Sequence, residues 1–184
     1  MRRRVVAGLV LPMCLLSLAC SQVQKPTAAL KSADVGAITA DGFTANFALD
    51  VHNPNAFKLP LTDADYALSF GGVQVTKDTI KPGGSIPANG SMPLTIPVRL
   101  SFDSLLKAEE AIRAAGGDVP YKLEGALGFS GGNSLAALGI PTKIPLNYSG
   151  TLPLKKVFSD PTVLLNSPAA RRLAGKGLEG LLNR

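Results

Sequence analysis

The stretch "FTANFALDVHNPN", Phe43 to Asn55, decides the fold. Phe43, Ala45, Phe47, Leu49 and Val51 alternate with Thr44, Asn46, Ala48, Asp50 and His52. A period of two marks a strand of an antiparallel sheet with one face on a core. The alternation stops at Asn53-Pro54-Asn55. Pro54 fixes φ and has no N–H, so a ladder must end there, and it pushes Asn53 toward an extended conformation. Asn53 and Asn55 can bond nearby backbone groups and tolerate the left-handed region. Turn chemistry therefore accounts for all three residues, and the tripeptide reads as a strand terminator rather than a reactive site.

The same period continues downstream. Tyr66, Leu68 and Phe70 mark a second strand, and Gly71-Gly72 turns it into Val73-Gln74-Val75 as a hairpin, because glycine accepts the positive φ of a tight turn. "KPGGSIPANG" is a loop by composition. Met92, Leu94, Ile96, Val98, Leu100 and Phe102 then fall on every second residue, with Pro93 and Pro97 on the other face. Proline cannot donate to a ladder, so this strand is expected to lie at a sheet edge or to join the sheet irregularly. Tyr121, Leu123, Gly125, Leu127 and Phe129 form a further strand, and Ile144, Leu146, Tyr148, Leu152 and Leu154 the last. "SGGNSLAALGIPTK" between them reads as a loop. One segment, "FDSLLKAEEAIRAAGG", has helical spacing at Leu105, Ala108, Ile112 and Ala115; Ser101 or Asp103 can cap its start and Gly116 its end. Six or seven strands with one helix predict an all-β antiparallel β-sandwich.

The chain opens with Arg2, Arg3 and Arg4, followed by an uncharged apolar run from Val5 to Ala19. This three-part pattern is that of a secretory signal peptide, too short to cross a bilayer as a helix. Leu16-Ser17-Leu18-Ala19-Cys20 resembles the bacterial lipobox, although Ser17 and Leu18 depart from its commonest form. The resemblance implies acylation of Cys20, anchorage to the cell envelope, and, with Ser21 next, an outer membrane location facing the periplasm. An uncleaved anchor, or plain cleavage leaving a free thiol, are the alternatives. Cys14 would leave with the leader, so the mature chain would hold a single cysteine and no internal disulfide. The expected organisation is a signal peptide over 1–19, a lipidated tether over 20–28, a sandwich domain over 29–156 and a tail over 157–184 with a short helix. In the tail, Ser167-Pro168 is a helix start, and Ala170, Leu173, Ala174, Leu178, Leu181 and Leu182 share a side. Docking on its own domain is the plain reading; a membrane-surface or partner-binding helix is the other, weakened by Gly175, Gly177 and Gly180.

The net charge of +6 falls to +3 without Arg2, Arg3 and Arg4, and no basic block interleaves with aromatics, so nucleic acid is not an expected partner. His52 is the sole histidine and faces away from the apolar side, with Asp50 beside it but no nucleophile-elbow pattern. Asp63 and Asp65 could contribute to a calcium site, but the loop lacks further acidic ligands and EF-hand spacing. Glu109 and Glu110 read as a solvent-facing helix pair. "GGVQV" and "KPGGS" lack the lysine and following helix of a phosphate cradle. The reading is of a non-enzyme, with no metal or cofactor and no evident small-molecule substrate.

The alternating strand ending in Asn53-Pro54-Asn55, then "FKLPL", "DADYALSFGGVQV", "SIPANGSMPLTIPVRLSF", the single helix and "IPLNYSGTLPL", resembles the water-stress-and-hypersensitive-response domain. That domain occurs in group-2 late embryogenesis abundant (LEA) proteins of plants, archaea and bacteria. The likeness runs from about Leu30 to Leu154. It implies an immunoglobulin-like or fibronectin-like sandwich with one helix. It also implies a role in tolerance of desiccation, freezing or heat, through weak contact with client proteins or membrane surfaces. With 46% hydrophobic residues in strong alternation, any such role would belong to a folded domain and not to a hydrated coil. An outer-membrane adaptor or lipid-binding module is the alternative.

Overall fold

In the computed structural model, residues 23–137 and 139–174 are described. The signal peptide, Cys20, and the tail leucines and glycines from 175 onward lie outside them. Eight strands run β1 Thr27–Ile38, β2 Gly42–Asn53, β3 Leu59–Phe70, β4 Val73–Ile80, β5 Ser85–Ile86, β6 Gly90–Ser101, β7 Asp118–Phe129 and β8 Lys143–Pro153. They form two antiparallel sheets, one in the order β1-β2-β6 and one in the order β4-β3-β7-β8, with β5 paired to β3. The fold is the expected β-sandwich.

The inner faces are the alternating sets read from the sequence. Phe47, Val51, Ile96 and Val98 on one sheet, and Leu68, Phe70, Leu123 and Leu127 on the other, are completely buried. Phe47 meets Tyr121 edge to face across the gap, with ring centroids 5.2 Å apart. β6 pairs only with β2, so it is an edge. Pro93 and Pro97 lie four residues apart and therefore turn their nitrogens to the same, outer side of the strand. The Gly71-Gly72 turn has φ of 56° and 82°, the double positive φ of a type I′ hairpin. Gly125 allows β7 to approach β3 closely, since a Cβ there would collide with the Asp65 carbonyl oxygen. On the opposite side of the sandwich, the Tyr148 hydroxyl donates to the Ala28 carbonyl (2.8 Å), joining β8 to β1.

The helical segment after β6 is split into α1 Phe102–Leu105, a 3-10 turn at Leu106–Ala108, and α2 Glu109–Ala115. Ser101 caps its start, its Oγ accepting from the Ser104 N–H, and Gly116 ends it at φ 65°. Helix content exceeds the one domain helix and one short tail helix expected. The glycine-rich segment expected as a loop contains α3, Gly132–Ala137, whose Leu and Ala residues are good helix formers. The chain after β8 forms α4 Lys155–Phe158, α5 Pro161–Asn166 and α6 Pro168–Ala174. Val157, Val163, Ala170 and Leu173 are buried, so this part of the tail is docked on the domain.

Candidate functional site at the Asn-Pro-Asn turn

Asn53 is the last residue of β2, paired with Gly90 of β6. Its side chain is wholly buried and Asn55 nearly so, and both amides are fully used. The Asn53 Nδ2 donates to the carbonyls of Phe57 (2.6 Å) and Pro87 (3.0 Å). Its Oδ1 accepts from the backbone N–H of Asn55 (3.1 Å), an Asx turn, and from the Asn55 Nδ2 (3.0 Å). Asn53 thereby binds its own turn to the loop between β5 and β6. Neither asparagine takes the left-handed conformation expected as an option. Among the described residues the non-glycine positive φ belongs to Asn89, at 48°, whose N–H donates to the Asn55 carbonyl (2.8 Å).

Asn55 reaches in the other direction. Its Oδ1 accepts from the Gln24 N–H (2.9 Å) and its Nδ2 donates to the Gln24 carbonyl (2.8 Å). A side-chain amide thus stands in for a neighbouring strand and holds the chain just before β1 on both backbone groups. Val23 packs on the core and Pro26 is buried. The tripeptide is a two-sided clamp on the N-terminal segment and the β5–β6 loop. Gln24, Phe57, Pro87 and Asn89 are the partners sequence reasoning did not supply. The clamp contains only amides and backbone groups, so it neither titrates nor offers a nucleophile near neutral pH.

The remaining candidates resolve into pairings fixed by register. His52 faces Ser91 across β2 and β6, with Nδ1 3.1 Å from the serine Oγ. Asp50, beside His52, points to Lys31 at 3.8 Å. His52, Ser91 and Lys31 are exposed and Asp50 is half-buried, and His52 meets its own cross-strand partner rather than a carboxylate. Asp63 and Asp65 hold the Lys143 ammonium between them, at 3.1 and 2.6 Å. Gly128 makes room for this group, since a Cβ there would strike the Asp63 carboxylate. Hydrogen bonds from Thr62 and then Lys143 hold the Asp63 carboxyl below the ordinary range; those from Lys143 and then Thr79 do the same for Asp65. The bonds to Asp65 and then Asp63 raise Lys143. An ammonium therefore occupies the place considered for calcium. Glu110 is exposed, but Glu109 ties α2 to Arg113 at 3.3 Å and to Arg172 of α6 at 3.1 Å. A cavity of about 370 Å³ lies between α2, α4 and α6, with Ile112, Phe158 and Leu173 as apolar walls and Arg113 and Lys155 as cations.

Residues 48–144, over half the chain, match the model of the family described as late embryogenesis abundant protein. Two curated plant relatives align over 136 residues, 74% of this chain. The "Desiccation protectant protein Lea14 homolog" of Glycine max is 24% identical and covered over 80% of its length. The "Late embryogenesis abundant protein Lea14-A" of Gossypium hirsutum is 23% identical and covered over 81%. A solution structure from Arabidopsis thaliana is similar with a TM-score of 0.57 and 21% identity, over 72% of this chain and 83% of that one. A crystal structure of a protein from Archaeoglobus fulgidus gives 0.51 and 15%, over 67% and 97%. At these identities the two structures show a shared fold.

Proposed function

We propose, because this chain belongs to the late embryogenesis abundant protein family, type 2, that it is a non-catalytic stress-protective domain acting against loss of water. The observation that carries the reading is its alignment, over 74% of the chain, with a relative named as a desiccation protectant. The geometry supports it. Among the described residues, every buried side-chain nitrogen and oxygen has a hydrogen-bond partner. A core closed in this way leaves its polar groups committed to the fold and not aimed at a substrate. The finer reading is of a water-stress-and-hypersensitive-response domain in a lipoprotein. Cys20 is the acylated residue, and the domain stands at the cell envelope, on the periplasmic side of the outer membrane. Protection comes from weak, reversible contact of the folded surface with client proteins or headgroups as water is withdrawn.

The test is recovery of a labile reporter enzyme after drying and rehydration, beside an unrelated β-sandwich of similar size and charge at equal mass. Recovery above that control supports the reading, and recovery equal to it refutes a protective role of the domain. The cavity walled by α2, α4 and α6 favours one second reading, a binding module for an amphipathic anion, because apolar walls and two cations converge there. A ligand retained through purification and lost on replacing Arg113 and Lys155 together would support that reading.

A further inference from the structure

We propose that the end of the sandwich built around the Asn-Pro-Asn clamp is its membrane-facing pole and docks on the anionic headgroups of a phospholipid surface. The proposal rests on the reading of Cys20 as the lipid anchor. Two independent observations lead to it.

The first is the length of free chain. Asn55 holds both backbone groups of Gln24, and Gln24 follows Cys20 by four residues. At about 3.3–3.6 Å per residue, that chain spans at most about 14 Å. Without the clamp the ladder would hold the chain only from Thr27, where β1 pairs with His52, and the reach would be about 25 Å. The clamp therefore keeps this pole within a short distance of any acyl chains on Cys20, and β1 leads the chain away toward the other end.

The second is charge. The described segments at this pole are residues 23–27, 54–58, 81–84, 87–89, 130–137 and 139–142, and none contains Asp or Glu. They carry Lys25, Lys58 and Lys81, all exposed. Among the described residues none of the three has a carboxylate within ion-pair distance. Of the acids on the adjoining strands, Asp63 and Asp65 are occupied by Lys143, and Asp50 lies 3.8 Å from Lys31. At the turn itself Ala56, Pro87 and Ala88 are exposed and apolar. The other end holds Asp41, Asp103, Glu109, Glu110 and Asp160 in its connections and Asp118 at the start of β7, balanced by Lys107, Arg113, Lys155, Lys156, Arg171 and Arg172. One pole is thus acid-free and basic with an apolar tip, which suits anionic headgroups, and the other, where acids and bases balance, has no such net attraction to them.

The experiment uses the full mature protein in vesicles of phosphatidylethanolamine and phosphatidylglycerol. A fluorophore on Ala88→Cys at this pole, or on Ala40→Cys at the other, reports quenching by a headgroup-labelled lipid. The mass of the N-terminal peptide reads the state of Cys20 separately. Acylated Cys20 with severalfold stronger quenching at position 88 than at 40 is expected. Each exposed lysine contributes about fivefold to the docked population on an anionic surface. Replacing Lys25, Lys58 and Lys81 by Glu should therefore collapse the contrast between the two positions, as should phosphatidylcholine vesicles. Acylated Cys20 with equal or reversed quenching overturns the orientation and leaves the anchor standing. A contrast untouched by the triple substitution overturns the electrostatic docking. An unmodified Cys20 overturns the anchor and this proposal with it.

Discussion

Replacement of Asn53 by alanine tests the clamp at its centre. The side chain is wholly buried and makes four hydrogen bonds: two donated, to Phe57 and Pro87, and two accepted, both from Asn55. Each such bond contributes about 1 kcal/mol net, and a buried partner left unpaired costs about 1–3 kcal/mol. Phe57 is only half-buried, so water can reach its carbonyl and soften one of the losses. The sum is a destabilisation of about 3–4 kcal/mol, a large share of the ~5–15 kcal/mol typical of a domain. With a urea m-value of about 2 kcal/mol/M, the midpoint should fall by about 1.5–2 M. The chain has no Trp, so far-UV circular dichroism is the suitable signal. Asn53→Asp gives a signed control. It keeps the acceptor toward Asn55 but turns an oxygen toward the two carbonyls, which penalises the carboxylate. Its folded-state pKa is then raised, so its deficit against wild type should narrow as pH falls through that raised value. A loss under about 1 kcal/mol for Asn53→Ala, or no narrowing for Asn53→Asp, would refute the buried clamp.

Three further outcomes follow from the packing. Ser167 is buried and its Oγ accepts from the Ala170 N–H (3.2 Å), so Ser167→Ala should cost about 1 kcal/mol and speed hydrogen exchange in Pro168–Ala174 before the sheets respond. Gly125→Ala should cost about 2–3 kcal/mol by urea titration, because its Cβ meets the Asp65 carbonyl, which is backbone and cannot swing away. The Asp63–Lys143–Asp65 group should shape the melting temperature at both pH extremes. Its lowered carboxyls stabilise fully above the ordinary carboxylate range, and that part is lost as pH falls through their depressed values. Its raised ammonium stabilises fully below the ordinary lysine range, and that part is lost as pH rises through the raised value. Lys143→Gln should flatten both limbs slightly, by an amount that salt reduces, since the group is exposed.

The strands were legible where side chains alternate without interruption. Phe43 to Val51 and Leu94 to Leu100 show it, and the proline spacing on β6 even marked which strand is an edge. β1 was harder, because its register shifts at Leu30/Ser32 and Val35/Ile38 break the period within the strand. The caps Ser101 and Gly116 were readable because capping is local. The clamp's reach was not. Its Gln24 bonds span 31 residues, and no local pattern announces which backbone an asparagine will pair with. The same holds for Glu109, readable as a surface acid but joined to Arg172 only once the tail docks.

Whether protection resides in the fold is settled by drying the reporter enzyme with wild type and with the Asn53→Ala chain, at a temperature where only wild type is folded. Recovery with wild type and none beyond the control with the unfolded variant is the expected result. Equal recovery with both would assign the protection to a hydrated coil and contradict a role for the folded sandwich.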